Sequence, residues 1–458
     1  MSHGLVDIAP QNWVISMSLN KAYAEFVDIL GHENVLREAD EILPYSICRY
    51  SRSELKPALV LKPTSVQQLS RLLPAAQRYG LSVTPRGSGF DSAMGSLTNG
   101  GILIDLTGLN HVLKVDEENC TITVQSGATF ESIAKDLASK GLSIGLEPIA
   151  SLKATIGGFI ASHGVGYGSL RHGSILNTVR EIEVVLSDGS IVRTGFKGIP
   201  PGGTGYDLSR LMVGSEGLFG IITEATLEIF PLPELTTNIA SAFSDIEEGR
   251  SILKEILKKA STLSSMYFFD EGLIRILQTG SFKIPYERFI GMVRLEGVKE
   301  VVTQEVNLIE TIYHTPLHPQ VSEQLWNHRF LHQIIETLKN PVLVDEHRLP
   351  TDKNVEAYRT LRDLAAKNGV KSAFYSLQTS LDSNLVIFIV YGDDLGKVNV
   401  TRKEIEDAII SLGGKPYTAG FRRAEAMRKA SPALPDMLIK IKRVLDGTNL
   451  FGTKGWIC

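Results

Sequence analysis

Apolar positions along the chain hold one period for a stretch and then change it, and each change marks a unit. From about Asn12 to Ser46 they recur at helical spacing, with Ala22, Phe26, Ile29 and Leu30 on one side, until Gly31-His-Glu-Asn34 breaks the run. This segment is expected to pack as a lid or brace. From Ser53 to about Pro233 short Val- and Ile-rich runs alternate with helical patterns. A helix is predicted over Ser65–Tyr79, with Val66, Leu69, Leu72 and Leu73 on one face, followed by a strand over Leu81–Thr84. A second helix is predicted over Phe130–Leu137, and the strand Ile182–Leu186 runs into the hairpin signal Ser187-Asp-Gly-Ser190. Pro231-Leu-Pro233 closes this unit.

From about Glu234 to Tyr417 the order becomes helix Ile246–Lys258, strand Phe289–Leu295, helix Val298–Thr311 and helix Asn354–Asn368, then strand Leu385–Tyr391 and helix Val398–Leu412. Helix and strand alternate here without glycine loops, which reads as an α+β cap over an antiparallel sheet. A last helix, Ala433–Leu445, precedes Asp446-Gly-Thr-Asn-Leu-Phe-Gly-Thr-Lys454. The fold class is α+β, with units over 1–52, 53–233, 234–430 and 431–458, and no internal repeat or low-complexity run.

Three glycine clusters lie in the second unit. Pro85-Arg-Gly-Ser-Gly-Phe90 follows a predicted strand, where bare N–H groups can surround an anion. Thr155-Ile-Gly-Gly-Phe159 leads to Gly164, Gly166, Gly168 and Ser169-Leu-Arg-His-Gly173, and Gly214-Ser-Glu-Gly-Leu-Phe-Gly-Ile-Ile-Thr223 follows later. Three such loops in one unit suggest a long phosphate-bearing ligand held at several points.

The stretch from Ser53 to Pro233 resembles the FAD-binding domain of the vanillyl-alcohol oxidase / p-cresol methylhydroxylase superfamily. Within it, the likeness is strongest to the branch of glycolate oxidase flavoproteins and D-lactate dehydrogenases. The residues that carry the resemblance are Leu61-Lys-Pro-Thr-Ser-Val66, Pro85-Arg-Gly-Ser-Gly89, Gly101-Ile-Leu-Ile-Asp-Leu-Thr-Gly-Leu-Asn110 and Val124-Gln-Ser-Gly-Ala128. They continue through Thr155-Ile-Gly-Gly158, Ser169-Leu-Arg-His-Gly173, Gly205-Tyr-Asp-Leu208, Gly214-Ser-Glu-Gly217 and Gly220-Ile-Ile-Thr223. The resemblance implies a two-lobed FAD-binding domain with a ferredoxin-like substrate domain. The closing Asp446–Lys454 segment resembles the family's Asp-Pro-x-x-x-Leu/Phe-Asn-Pro-Gly-Lys, in which the tail returns to the flavin domain.

By the same resemblance Arg86, Gly87, Ser88, Gly89 and Phe90 would surround the pyrophosphate, and Thr155, Gly157, Gly158 and Ser162 would form a second contact loop. Gly214, Glu216, Gly217 and Ile222 would lie along the isoalloxazine, ribityl or adenine. Arg86 also reads as a surface arginine, and Glu216 as a turn or capping carboxylate. The family's covalent histidine sits in the first glycine loop, where this chain has Phe90-Asp-Ser92, so FAD is expected to be non-covalent, with His163 the one histidine at issue.

The composition narrows the class. A formal charge of −4 over 458 residues leaves no electrostatic footprint for nucleic acid. Three cysteines without metal spacing (Cys48, Cys120 and Cys458) fit a reducing interior, and nothing shows the Cys-x-x-Cys spacing of an iron–sulfur centre. No apolar run reaches the roughly 20 residues of a membrane span, and the first residues lack a signal peptide's apolar core. A cytoplasmic protein is expected, with peripheral attachment to the inner face of a membrane left open, and with homo- or hetero-oligomers possible.

The resemblance also shows where this chain departs from its branch. Relatives hold a divalent metal with His-Ala-Gly-Asp-Gly-Asn-x-His and Gly-Glu-His-Gly-Ile-Gly. This chain reads Leu385-Val-Ile-Phe-Ile-Val-Tyr-Gly392 and Thr418-Ala-Gly-Phe-Arg-Arg423 in their places, so no metal is expected. Leu325-Trp-Asn-His-Arg329 resembles Leu-Trp-x-x-Arg, whose arginine holds a substrate carboxylate, and a guanidinium suits that task. Arg329 also reads as a helical arginine in a structural ion pair. Arg422 and Arg423 would offer positive charge to an acidic or phosphorylated substrate, or equally close a protein interface.

For the base the expectation is His347, at the end of a strand predicted over Pro341–Val344, with His328 and His332, one helical turn apart, as alternatives. The expected activity is oxidation of a small 2-hydroxy acid (glycolate or D-lactate type) by hydride transfer to flavin N5. Electrons would pass to an external quinone, iron–sulfur or electron-transfer protein. A second reading is a flavin-bearing relay or assembly subunit. A third, alkylglycerone-phosphate synthase chemistry, lacks its histidine-rich C-terminal signature here.

Overall fold

The computed structural model describes residues 9–51, 54–196, 205–278, 289–338 and 342–452, with side chains from residue 18 onward. Lys454 and Cys458 therefore lie outside the described residues, as does Pro341.

The amphipathic helix Val66–Arg78 starts where Ser65 accepts a hydrogen bond from the Gln68 N–H at 3.2 Å. It buries Leu69, Leu72 and Leu73 against Ala22 and Phe26 of helix Ala9–Leu30, so the N-terminal segment is a brace. Beneath it lies a sheet in which Leu59–Leu61, Ile102–Asp105 and Val83–Arg86 run parallel, with Val35–Leu36 antiparallel at one edge. The strand expected over Leu81–Thr84 runs instead over Val83–Arg86, so Arg86 belongs to the sheet and the loop begins at Gly87. A second, five-stranded antiparallel sheet contains Thr121–Gln125, Val179–Val185 and Ile221–Glu228, and helix Ile156–Ala161 packs on it. These are two lobes, as the resemblance implies.

The cap is a seven-stranded antiparallel sheet in the order Leu235–Phe243, Phe289–Gly297, Leu263–Phe269, Lys371–Gln378, Ser383–Tyr391, Val342–Pro350, Lys415–Pro416. Successive residues of a strand face opposite sides. Val344, Leu385 and Ile387 pack towards Tyr50, Ile149 and Tyr167 of the FAD-binding half. Leu343, Val386 and Phe388 pack under the cap helices with Leu361 and Ile405. The chain then returns: Lys442 Nζ donates to the Leu218 carbonyl at 2.8 Å, and the Leu450 carbonyl accepts from the Val83 N–H at 2.8 Å.

Candidate active site

A cleft between the two lobes and the cap is floored by the glycine loops. Its lining includes Arg86 to Ser92, Thr155, Gly157, Gly158, Ser162, Glu216, Gly217 and Ile222, with Glu346, Leu385, Tyr417 and Thr418 from the cap side. Of the residues expected to hold the cofactor, only Gly214 is not part of the wall; its N–H donates to the Ile160 carbonyl at 3.0 Å behind the loop.

The glycines are needed as much for loop-to-loop packing as for the ligand. A Cβ on Gly87 would land on Thr155 Oγ1, one on Gly157 would come within 2.6 Å of Ser126 Cβ, and one on Gly217 (φ +75°) within 2.6 Å of Pro85 Cγ. The N–H groups of Gly87, Ser88 and Gly89 donate to nothing among the described residues. Close backbone approach with free donors is what a diphosphate requires, so these residues fit FAD.

Several expected ligands do other work. Arg86, 6 % exposed, sits beneath the loop rather than on the surface. Its guanidinium occupies the space a Cβ on Gly89 would take and lies 5.7 Å from the Tyr45 ring centroid. Burial lowers its pKa, and Asp105 offsets part of that. Phe90 turns to the cap, its ring 5.7 Å from that of His332. Glu216 accepts from the Ala419 N–H at 2.7 Å and the Gly420 N–H at 2.9 Å, so its carboxylate ties the C-terminal segment to the flavin half. His163 is not part of the cleft wall; its Nε2 is 3.1 Å from Ser174 Oγ.

The catalytic expectations on the cap need correction. The strand predicted to end at Val344 continues to Pro350, so His347 lies within it, fully buried, on the helix-facing side with Asp345. Its Nε2 is 3.5 Å from Asp345 Oδ2, and it does not line the cleft. Its neighbour Glu346 does, because the pleat turns alternate residues to opposite faces. His328 and His332 fall on either side of a helix break and bond to the Gln324 and Ala150 carbonyls.

Arg329, expected to hold a substrate carboxylate, already holds one. It is paired with Glu147 and lies under Trp326 and Phe330, whose ring centroids are 3.9 Å and 4.1 Å from its Cζ. Arg422 does not reach the cleft either. It donates to the Val344 carbonyl and belongs, with Arg423 and Arg402, to a buried cluster around Asp345. Burial alone would raise the Asp345 pKa, but Arg423, with His347 and Arg402, holds it well below the usual carboxylate range. The two arginines are thus committed to Asp345 inside the chain. Among the described residues no group of three or more His, Cys, Asp or Glu is gathered as a metal site, and Leu385 lines the cleft.

What the sequence did not single out is the cap wall itself. Glu346 accepts a hydrogen bond from Ser92 Oγ, with Arg423 Nη2 3.7 Å from its carboxylate. Tyr417 Oη accepts from the Val165 N–H at 2.9 Å, joining cap and second glycine loop, and burial raises its pKa. Only a strand carried through to Pro350 would have pointed to Glu346.

Two family profiles match the chain: "FAD binding domain" over residues 57–195 and "FAD linked oxidases, C-terminal domain" over residues 232–453. The chain belongs to the FAD-linked oxidases. This FAD-linked oxidase is 26% identical to the glycolate oxidase subunit GlcD of Bacillus subtilis over 404 residues, which is 85% of this chain and 86% of that one. It is also 26% identical to a D-lactate dehydrogenase of Archaeoglobus fulgidus over 410 residues, 86% and 89% of the two chains. The structure of p-cresol methylhydroxylase with substrate bound superposes with a TM-score of 0.82 at 17% identity, covering 96% of this chain and 97% of that one, a likeness of fold. FAD is the cofactor of this family. No described helix is long and apolar enough to cross a membrane.

Proposed function

We propose that this FAD-linked oxidase is a metal-independent dehydrogenase of small 2-hydroxy acids, of the glycolate or D-lactate type for which its relatives are named. Electrons pass to an external acceptor. The observation that carries the reading is Glu346, a carboxylate on the cap wall of the flavin cleft. Bound FAD supplies the acceptor for the hydride, at its N5. Glu346 takes the proton of the substrate hydroxyl, and Ser92 fixes the carboxylate by donating to one of its oxygens. Leu385 keeps water from the reacting carbon, and Tyr417 holds the cap wall against the second glycine loop.

A specific observation favours a second reading, a neutral alcohol as substrate. The Arg329 guanidinium is paired with Glu147 and does not line the cleft, so a substrate acid would meet it only once that pair opened. The test is anaerobic flavin reduction by glycolate, D- and L-lactate and neutral alcohols, with and without chelator, on the parent and on Glu147→Gln. Reduction by an acid, insensitive to chelator and with a lower KM in Glu147→Gln, supports the hydroxy-acid reading. Reduction by neutral alcohols alone moves the substrate to that class. A flavin that none of them reduces favours a relay or assembly role.

A further inference from the structure

The cap has a cavity on the side away from the flavin cleft. It measures about 480 Å³ and lies between helix Ile246–Lys259, the sheet, and the turn Thr351–Lys353 that leads into helix Asn354–Asn368. That volume lies in the range of small-molecule sites, roughly 300–1000 Å³. One side is apolar, built from Leu253, Met266, Phe268 and Phe374, while Leu381, largely exposed, lies in the turn between Gln378 and Asn384. The other side is polar. Asn354 donates to Ser376 Oγ at 3.1 Å, and Gln378 donates to Thr351 Oγ1 at 3.0 Å.

Asn384 lines this cavity, is 1 % exposed, and its Nδ2 has no hydrogen-bond partner. A buried amide donor costs stability unless an acceptor reaches it. Helix Asn354–Asn368 begins on the same side, continuing the 3-10 turn Thr351–Lys353, and Lys353 at its N-cap contributes no side-chain cap, so the dipole adds a favourable field for an anion there. Arg250, Lys254 and Lys258 follow one another at one-turn spacing along the rim, and none forms an ion pair among the described residues. Asp352 is the one acid among the lining residues.

We propose that this cavity binds a small amphipathic carboxylate. The apolar body occupies the Leu253, Met266 and Phe268 end. The carboxylate meets Asn384 Nδ2 and the start of helix Asn354–Asn368, with Arg250 and Lys254 supplying the long-range attraction. The site is separate from the flavin cleft, with which it shares no lining residue, yet it borders it: Asn384 and the cleft residue Leu385 are adjacent on strand Ser383–Tyr391 and face opposite sides of the sheet.

The test is calorimetric titration of the flavin-loaded protein with decanoate below its micelle concentration, with decyltrimethylammonium as the cationic control. Saturable decanoate binding is expected, with the cation failing to compete. Asn384→Asp, nearly isosteric, puts a like charge at the head-group end and should weaken decanoate at least about tenfold, on the scale of one unmade charged hydrogen bond. Arg250→Ala with Lys254→Ala removes one half-buried and one exposed side chain, neither in an ion pair among the described residues, and should fold normally. It should lower the affinity and flatten its dependence on salt. No saturable binding, or binding that both sets of variants leave unchanged, overturns the proposal. So does a protein that ignores decanoate and sediments with phosphatidylglycerol vesicles, which would assign the basic rim to a lipid surface instead.

Discussion

Asp345 and Glu346 are neighbours on one strand, and the pleat gives them opposite lives. Asp345 is 1 % exposed among Arg402, Arg422 and Arg423, and its role is to hold the Arg422–Arg423 stretch to the cap sheet. Glu346, one residue on, lines the cleft with a single hydroxyl on its carboxylate and one guanidinium at 3.7 Å. The same residue class thus serves structure on one face and, in the proposed reaction, chemistry on the other. The difference lies in how many partners are already committed. A carboxylate surrounded by cations has no capacity left for a substrate proton, whereas one at a cavity wall does.

The largest effect expected from breaking this comparison is on turnover. Glu346→Gln should slow anaerobic flavin reduction by roughly 10²- to 10⁴-fold, the usual contribution of a general base. His347→Gln, on the opposite face, should leave the rate constant for reduction unchanged. Loss of the rate in His347→Gln with Glu346→Gln unaffected would return the base to the histidine.

Next comes stability. Asp345→Asn strands three buried arginines around a neutral amide and should cost about 3–5 kcal/mol in urea unfolding, as when one partner of a buried ion cluster is removed. A loss under about 1 kcal/mol, the scale of an exposed pair, would mean the cluster is solvated.

The cofactor side responds more mildly. Gly87→Ala drives a methyl onto Thr155 Oγ1 and should weaken FAD by about 1–3 kcal/mol, the cost of overpacking, measured by flavin fluorescence on dilution. Equal affinity in the variant would show that the two loops do not have to touch.

The smallest effect sharpens the contrast between buried carboxylates. Asp270 is as buried as Asp345, but among the described residues its carboxylate accepts only from the Phe374 and Leu273 N–H groups, each at 3.0 Å, and burial pushes its pKa up to about 7. Its folded pKa lies above the unfolded value, so its contribution to stability is present in full below about pH 4 and is lost as the pH rises through about 7. Urea unfolding across that window should show this falling component in the parent and not in Asp270→Asn. Asp345, shifted the other way, contributes stability that is present at neutral pH and lost only on acidification.

Periodicity and glycine placement fixed much of this protein in advance. The brace helix, the helix begun by Ser65, the three glycine loops and the antiparallel cap were legible because each follows from local pattern and turn chemistry. The substrate end was not. A strand extended by six residues, from Val344 to Pro350, decides which of Asp345, Glu346 and His347 meets the cleft, and local propensity does not set where a strand stops. Arg329 and Arg422 carry the right chemistry for a carboxylate, but Glu147 and Asp345 come from distant parts of the chain and claim them first. Sequence alone determined the backbone cradle, whose requirements are conformational and local. Tertiary structure alone decided which charges stay free for a substrate, because that depends on partners the chain brings together only when folded.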